Sequence, residues 1–230
     1  MAEQGNIEAQ FLVGLVYLDS PIDGDIQSAE YWLAKAAENG HLKAQLVLGD
    51  TYRSNPRIQD YTKALRWLEA AATRGDPVAQ FGVGTMLYHG YGVKENHVVA
   101  MSWFLKAAEQ NDVRAQGVLG NMYLQGQGVP QNYRLSANWF RRAGAQGDTT
   151  AMSALGLIYE NGLGLPKNLI LAHVVYSLAN TAGDESARTA MFRVGKKLSP
   201  EEINEAQRLA AEWKVGSPLP DRPSLPAARR

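Results

Sequence analysis

The chain has 230 residues, and its 23 basic side chains (Lys and Arg) balance its 23 acidic ones, so the formal net charge at pH 7 is zero. This balance argues against nucleic acid and anionic membrane surfaces as partners, because both need a basic patch. The sequence holds no cysteine, which excludes disulfides, thiolate catalysis and thiolate metal ligands. It also lacks the run of about 18 apolar residues that direct membrane insertion needs.

The N-terminus resembles the end of a repeat unit. Residues 1–5 (MAEQG) match residues 36–40 (AAENG), so we interpret residues 1–8 as the remnant of a preceding repeat. Such a remnant leaves an apolar face uncovered, which predicts self-association through this end or a longer natural chain. No signal peptide is recognisable. We expect a soluble protein that is cytoplasmic, or periplasmic if a longer natural chain begins with an export signal.

One pattern recurs every 35 or 36 residues along most of the chain. An alanine is followed five residues later by a glycine, at Ala9 and Gly14, Ala44 and Gly49, Ala79 and Gly84, Ala115 and Gly120, and Ala151 and Gly156. A period of this length indicates one helical hairpin per unit, which must stack on its neighbours to bury its apolar face. We predict an all-α solenoid of about five helix-hairpin repeats, residues 9–43, 44–78, 79–114, 115–150 and 151–186.

Each unit contains two amphipathic helices. Apolar residues recur at helical spacing in the first helix, as at Ala115 and Leu119, and in the second helix around a tryptophan, as at Ala100 and Trp103. We expect the tryptophans to fill the space between hairpins, so that Trp103→Ala would cost about 3–5 kcal/mol. The glutamine that follows the alanine in four units predicts a repeated structural hydrogen bond. These glutamines are Gln10, Gln45, Gln80 and Gln116.

The connections inside three of the hairpins have the pattern Gly-x-Gly. They lie at residues 90–92, 126–128 and 162–164, where a glycine supplies the left-handed residue that closes a helix. A phosphate-binding loop is the alternative, but that loop follows a strand, and here a helix precedes it. The first two connections are polar instead and contain Pro21 and Pro56.

The pattern fades after the fifth unit. Residues 187–213 are predicted to form a C-terminal capping hairpin, whose last helix opens with Ser199, Pro200 and Glu202 in the capping-box arrangement. Residues 214–230 are rich in proline and predict an extended or disordered tail. Its Pro-x-x-Pro spacing leaves open a second reading, as a ligand for an SH3-like groove.

Taken together, these positions resemble the Sel-one-like repeat, a relative of the tetratricopeptide repeat. The fullest copy has the family's residues at Ala79, Gly84, Gly90, Gly92, Val93, Ala100, Trp103, Lys106, Ala107 and Ala108, with Leu87 in place of a tyrosine. The resemblance covers about residues 2–186 and implies a right-handed α-α superhelix of antiparallel helix pairs. Members serve as adaptors, envelope assembly factors, host-interaction factors and immunity proteins. Some bacterial relatives are rich in cysteine and form disulfides, unlike this chain.

Positions that differ between units but share one face of the first helix are candidates for partner recognition. We call them the first-helix strip, and the resemblance implies that they line the concave surface. The strip comprises Leu15, Asp50, Arg53, Phe81, Thr85, Tyr88, His89, Asn121, Leu124, Gln125, Leu157, Glu160 and Asn161. By residue type, Arg53, Phe81 and Tyr88 are expected to be the main anchors. The alternative is that Phe11, Leu46 and Phe81 pack between hairpins.

An enzymatic function has weak support. No two of the four histidines (His41, His89, His97 and His173) are spaced for a helical metal site, and no signature frames a nucleophile. We therefore predict no catalytic residue, no metal and no cofactor, with a hydrolase as a remote alternative.

The function that the sequence favours is protein–protein interaction. We predict a bacterial adaptor or assembly scaffold that binds a protein partner on its concave face. The alternative is a dedicated inhibitor, such as an immunity protein that binds and neutralises a secreted toxin or effector. An adaptor should bind a short segment at micromolar strength with fast exchange, whereas an inhibitor should bind a folded domain far more tightly.

Overall fold

The structure of the chain is a computed structural model that describes residues 1–22 and 25–221. This part of the chain contains twelve α-helices and no strand, which confirms the all-α helical solenoid. The helices are α1 (Ile7–Leu18), α2 (Asp25–Glu38), α3 (Leu42–Ser54), α4 (Tyr61–Ala72), α5 (Pro77–His89), α6 (His97–Glu109), α7 (Val113–Gln125), α8 (Tyr133–Ala145), α9 (Thr149–Asn161), α10 (Leu169–Thr181), α11 (Glu185–Gly195) and α12 (Pro200–Glu212). None of these helices is long and apolar enough to cross a membrane.

The helices form two compact units, Met1–Asp112 with α1 to α6 and Val113–Arg230 with α7 to α12. The first helix of each repeat packs against the second helix of the same repeat, in the pairs α1 and α2, α3 and α4, α5 and α6, α7 and α8, and α9 and α10. Successive hairpins then stack through α2 on α3 and α4 on α5 in the first unit, and through α8 on α9 in the second. Helix α10 also packs on α11 and α12, which end the second unit.

Side chains that cap the helix N-termini set where the helices begin. The carboxylate of Asp76 accepts a hydrogen bond from the backbone N–H of Ala79, and Asp148 caps α9 in the same way. Three asparagines, Asn96, Asn132 and Asn168, cap α6, α8 and α10. An Asp or Asn at this position satisfies an N–H that the helix leaves without a partner. The repeat period is thus fixed by caps on both helices of a hairpin.

A glycine in each first helix admits a bulky side chain from the second helix of the same hairpin. A Cβ on Gly84 would lie 2.7 Å from Phe104 Cε1, and one on Gly120 would lie 2.5 Å from ring atoms of Phe140. The five contacts are Gly14 with Leu33, Gly49 with Leu68, Gly84 with Phe104, Gly120 with Phe140, and Gly156 with Tyr176. All five bulky side chains are buried. We call these contacts the glycine notches.

The tryptophans differ from the sequence-based expectation. In four of the five notches, the buried residue that fills the notch is the one after the tryptophan. Trp32, Trp103 and Trp139 themselves are only half-buried. A basic side chain lies over each of these three rings, and Lys106 Nζ is 4.0 Å from the Trp103 ring centroid. Trp67 is the buried exception. Trp103 is therefore a surface-lying side chain, and its truncation should cost less than a core truncation.

The glutamines form the structural hydrogen bonds predicted from the sequence. Gln45 Nε2 donates to the backbone oxygen of Ala37 at 3.0 Å, and Gln80 Nε2 donates to that of Ala72 at 3.3 Å. The side-chain oxygen of Gln80 accepts a further bond from Gln110 Nε2 at 2.9 Å. These side chains tie the end of one hairpin to the start of the next.

At the C-terminal end, the capping box has the predicted hydrogen bonds, whereas the tail differs from the prediction. Both hydrogen bonds of the capping box at Ser199 and Glu202 are present. We expected residues 214–230 to be extended or disordered, yet Leu219 is only 2% exposed and packs on Gly144 and Met152. Met152 stands where the other units have the glutamine. Residues 222–230 lie outside the described part, as do residues 23–24 of the first connection.

The glycine notches predict that replacing two glycines of α7 by alanine changes the free energy of unfolding by very different amounts. Gly120→Ala should lower the free energy of unfolding by about 1–3 kcal/mol, because its Cβ would overlap the Phe140 ring. Gly117→Ala is the matched control, since its Cβ would meet only Asp148 Oδ2 at 3.4 Å; it should be neutral or stabilising by up to about 1 kcal/mol. Urea denaturation followed by circular dichroism measures both, and equal effects would contradict the notch.

The different burial of two neighbouring side chains of α6 predicts which truncation lowers the free energy of unfolding more. Phe104→Ala should cost about 3–5 kcal/mol, because Phe104 is almost completely buried in its notch. Trp103→Ala should cost less, about 1–3 kcal/mol, since part of the indole stays in contact with water. Thermal and urea unfolding of the two variants test this order. A Trp103→Ala variant as unstable as Phe104→Ala would show that the indole belongs to the core.

Candidate interaction surface

The structure places the first-helix strip on five helices of the two units. Asp50 and His89 are exposed in the first unit, as are Gln125, Leu157 and Asn161 in the second. The half-buried members are Leu15, Arg53, Phe81, Thr85, Tyr88, Asn121 and Leu124. Glu160 is buried. Most of the strip therefore reaches the surface, and the two units differ in what they present there.

Tyr88 and His89 belong to a group of aromatic side chains in the first unit. The Tyr88 ring stacks on the His97 ring with a centroid distance of 4.6 Å, and His89 stacks on Tyr91 at 5.3 Å. Tyr91 in turn stacks on Tyr61 at 5.0 Å. We call this group, with Phe81 packed behind it on Phe104, the aromatic cluster. It consists of Tyr61, Phe81, Tyr88, His89, Tyr91 and His97.

The loop after α5 brings the aromatic cluster together. Gly90 adopts the left-handed conformation that ends α5. Gly92 lies against α4, where an added Cβ would be 2.7 Å from the carbonyl carbon of Tyr61. Tyr91 stands between these two glycines and is thereby laid flat on the Tyr61 ring. A side chain larger than hydrogen at residue 92 would push the loop away from this stacking position.

A polar edge connects the aromatic cluster to the end of α3. Gln59 Nε2 donates to the hydroxyl of Tyr61 and to the backbone oxygen of Arg53, both at 3.1 Å. The Arg53 guanidinium forms an ion pair with Asp50 one turn earlier. On the other side, His97 Nε2 lies 2.9 Å from Glu95 Oε1. The surface thus combines ring faces with charged groups of both signs, a mixture common in protein interfaces.

Five residues of this surface were missed by the sequence analysis. They lie outside the first helices, to which the strip was confined, and are Gln59, Tyr61, Tyr91, Glu95 and His97. Tyr91 could have been identified as a candidate from the sequence, because it is aromatic and the central residue of the other two Gly-x-Gly loops is not. Thr85 is in the strip, but its hydroxyl donates to the backbone oxygen of Phe81 at 2.9 Å, so it serves its own helix.

In the second unit the strip is less aromatic. Asn161 Nδ2 donates to the backbone oxygen of Leu157 at 2.9 Å, and Asn121 Nδ2 donates to that of Gly117 at 3.3 Å. Leu124 packs against the hydrophobic core of this unit. Leu157 and Gln125 point to solvent. In the second unit, the exposed surface of the strip therefore consists of one leucine and several side-chain amides.

We expected Glu160 to bind a partner, but the structure shows it buried. Its carboxylate accepts two hydrogen bonds from Arg193 of α11, at 3.1 and 2.7 Å, and one from the Tyr176 hydroxyl at 3.3 Å. Lys197 Nζ lies 3.5 Å away. The Arg193 hydrogen bonds hold the pKa of Glu160 below its ordinary value, against the opposing effect of burial. Glu160 therefore ties α9 to α11.

Within the described residues, no three side chains of the His, Cys, Asp or Glu type converge so that they could hold a metal ion. His173 is buried in α10, and its Nδ1 has no hydrogen-bond partner among the described residues. Burial lowers the pKa of this histidine, so its ring is kept neutral inside the second unit.

The comparison with protein families decides the classification. The family model for the Sel1 repeat matches residues 7–41, 42–76, 77–112, 113–148 and 149–184. The chain belongs to the Sel1 repeat family. The five repeats agree in number with the prediction, and each match begins two residues earlier than we placed it, where the first helix of each hairpin starts.

Solved structures of Sel1 repeat proteins resemble this chain closely. A protective antigen present in uropathogenic Escherichia coli strains, displaying an SLR fold, is 32% identical with a TM-score of 0.79 over 92% of this chain and 46% of that one. A Sel1 repeat protein from Oxalobacter formigenes is 32% identical with a TM-score of 0.71 over 84% of this chain and 57% of that one. The present chain thus spans about half the length of both. No curated protein matches it.

Family membership has a general functional meaning. Sel1 repeat proteins generally bind other proteins, and the repeat is typically a non-catalytic scaffold. A putative Sel1 repeat protein from Klebsiella pneumoniae, 23% identical with a TM-score of 0.51 over 84% of this chain and 95% of that one, shares the fold.

The position of Glu160 predicts a structural effect when its charge is removed. Glu160→Gln should lower the free energy of unfolding at pH 7 by about 1–2 kcal/mol, because Arg193 loses its bidentate partner but stays half-exposed to water. Since folding lowers the pKa of Glu160, this contribution is complete above its ordinary pKa of 4.5 and is lost as the pH falls through the lowered value.

Urea denaturation at pH 7 and in acid measures the Glu160 effect. The exposed Glu69→Gln variant is the control and should unfold like the wild type at both pH values. A Glu160→Gln variant of unchanged stability would return Glu160 to the list of partner-binding candidates.

Proposed function

We propose that this chain is an adaptor or assembly scaffold that binds a protein partner through the first-helix strip, with the aromatic cluster as the main contact. The observation that carries the proposal is the set of stacked, partly exposed rings at the end of α5. Tyr91 is 38% exposed and His89 is exposed as well. Both rings are held by neighbours on the protein itself.

Pre-stacked rings favour binding because little freedom is lost when a partner covers them. An aromatic side chain has few rotatable bonds, and stacking fixes it before the partner arrives, which reduces the entropic cost of association. Aromatic residues and arginine are also the residue types that dominate interface energetics. Arg53 and His89 add groups that can form hydrogen bonds at the edge of the rings.

The resemblance to tetratricopeptide stacks supports an extended partner segment. In those stacks the first helices line the inner wall, so the strip residues within each unit would face the partner segment. A specific interface needs about 1,000 Å² or more, which several stacked hairpins can provide. Alternating ring faces and polar groups suit a peptide whose side chains differ along its length.

The first test is affinity capture with matched variants. A variant of the strip and the aromatic cluster, called the strip variant, carries Arg53→Ala, His89→Ala and Tyr91→Ala and should lose the partner that the wild type captures. A control variant with Tyr31→Ala, Lys43→Ala and Val98→Ala changes exposed residues that lie outside both the strip and the aromatic cluster, and it should keep the partner. Circular dichroism must show equal helicity for all three proteins. Retention of the partner by the strip variant would move the binding site elsewhere.

The strength of binding then separates the adaptor from the inhibitor. For an adaptor, a short synthetic segment of the captured partner should bind with a Kd of about 1 μM or weaker and exchange within seconds. Nanomolar binding to a folded domain whose activity is abolished would contradict the adaptor and favour an immunity function. Titration calorimetry with the segment and with the intact partner measures the difference.

A further inference from the structure

Helix α11 begins like the first helix of a sixth repeat. The carboxylate of Asp184 accepts a hydrogen bond from the backbone N–H of Ala187 at 3.2 Å, which is the capping contact also found at the start of α9. Ala187 is 1% exposed, as is Ala151 of α9. In the register that these alanines set, Phe192 stands where α9 has its notch glycine, Gly156. A large aromatic side chain therefore replaces a residue without a side chain.

Phe192 lies on the surface of the second unit. It is 57% exposed, whereas the notch glycines of the five earlier first helices are buried. In those hairpins a side chain from the second helix covers the glycine. The helix that follows α11 is α12, and it packs on α10. The exposure of Phe192 thus follows from the packing of α12, a helix that the structure describes.

Two basic side chains flank Phe192 along α11. Arg188 lies one turn before it and Lys196 one turn after it, where the backbone still has a helical φ of −63°. Residues four apart lie on one face of a helix, so we call Arg188, Phe192 and Lys196 the α11 row. The guanidinium carbon of Arg188 is 5.8 Å from the Phe192 ring centroid. Among the described residues, Arg188 and Lys196 have no acidic partner.

Two further cations lie beside the α11 row and share one carboxylate. Arg193 Nη2 is 2.7 Å from Glu160 Oε2, and Lys197 Nζ is 3.5 Å from Glu160 Oε1. One carboxylate neutralises only one of these two cations, so an excess positive charge remains here as well. The exposed Glu185 lies at the opposite, N-terminal end of α11. The exposed ring is therefore surrounded by positive charge along the C-terminal half of the helix.

We propose that the α11 row binds an acidic segment of a partner protein, with an apolar side chain of that segment on the Phe192 ring and its carboxylates beside Arg188 and Lys196. Charge complementarity determines this choice of partner. An aromatic ring with arginine at its edge also combines the residue types that supply most of the energy of an interface. The α11 row lies outside the first-helix strip and does not depend on the function proposed for the strip.

Two other occupants fit the α11 row less well. Residues 222–230 contain three arginines and no acidic residue, so repulsion between like charges opposes their binding to this surface. A nucleic acid is held by many contacts to its phosphates, whereas the α11 row supplies two unpaired cations. An acidic protein segment with an apolar side chain uses both the ring and the charges.

The first experiment uses a labelled acidic peptide, SEEFEES, and the full chain at low ionic strength. Fluorescence anisotropy should give a Kd of about 100 μM for the wild type. Phe192→Ser, and a double variant with Arg188→Glu and Lys196→Glu, should each weaken binding by at least about fivefold. The matched control carries Lys43→Glu and Lys94→Glu, the same change of charge at exposed lysines elsewhere, and it should bind like the wild type.

Folding must be unchanged for these comparisons to hold. Because Phe192 is exposed, Phe192→Ser should keep the urea midpoint of the wild type and its helical circular dichroism. A loss of peptide binding in this variant then reports the loss of the ring at the surface.

Two further peptides separate the apolar contribution from the charge. SEESEES, which lacks the phenylalanine, and SKKFKKS, which reverses the charge, should each bind at least about fivefold more weakly than SEEFEES. Equal binding of SEEFEES to wild type and Phe192→Ser, or no binding at about 1 mM, would overturn the site. Tighter binding of a DNA duplex than of SEEFEES would overturn the choice of a protein partner. So would a dimer in sedimentation equilibrium that the Arg188→Glu, Lys196→Glu variant dissociates, because the α11 row would then bind a second copy.

Discussion

The contact between a helix glycine and a bulky side chain of its partner helix is the constraint on which each hairpin depends. Without a Cβ on Gly84 or Gly120, the two helices come close enough for a ring to fill the space between them. Because the notch fixes that ring, the preceding tryptophan is turned toward the surface, where a basic side chain covers it. Gly144 uses the same device to admit a side chain from the tail.

The surface features follow from this packing. The close approach of Gly92 to Tyr61 is another glycine contact, made between neighbouring hairpins, and it lays Tyr91 on the Tyr61 ring.

Features that recur in every unit could be predicted from the sequence, since recurrence separates them from chance. The repeats, the helix pairs and the glutamine hydrogen bonds are of this kind, whereas the capping box at Ser199 was recognised from its own short motif. Periodicity could not tell which of the adjacent Trp103 and Phe104 enters the notch, because both suit an apolar stripe. Glu160 was misassigned because its partner Arg193 lies 33 residues away on another helix. The stacking of Tyr61 and Tyr91 likewise joins two hairpins that a single-helix pattern treats separately.

The burial of Leu219 has a consequence for how the second unit folds. In a solenoid each hairpin normally contacts only its neighbours, so the hairpins can unfold one after another from any position. The tail breaks that rule, because a leucine that follows the last helix inserts beside Gly144 and Met152, at the junction of α8 and α9. Closing so long a loop raises the contact order locally. The contact of Leu219 should therefore make the hairpins between α8 and the tail unfold together as one cooperative unit.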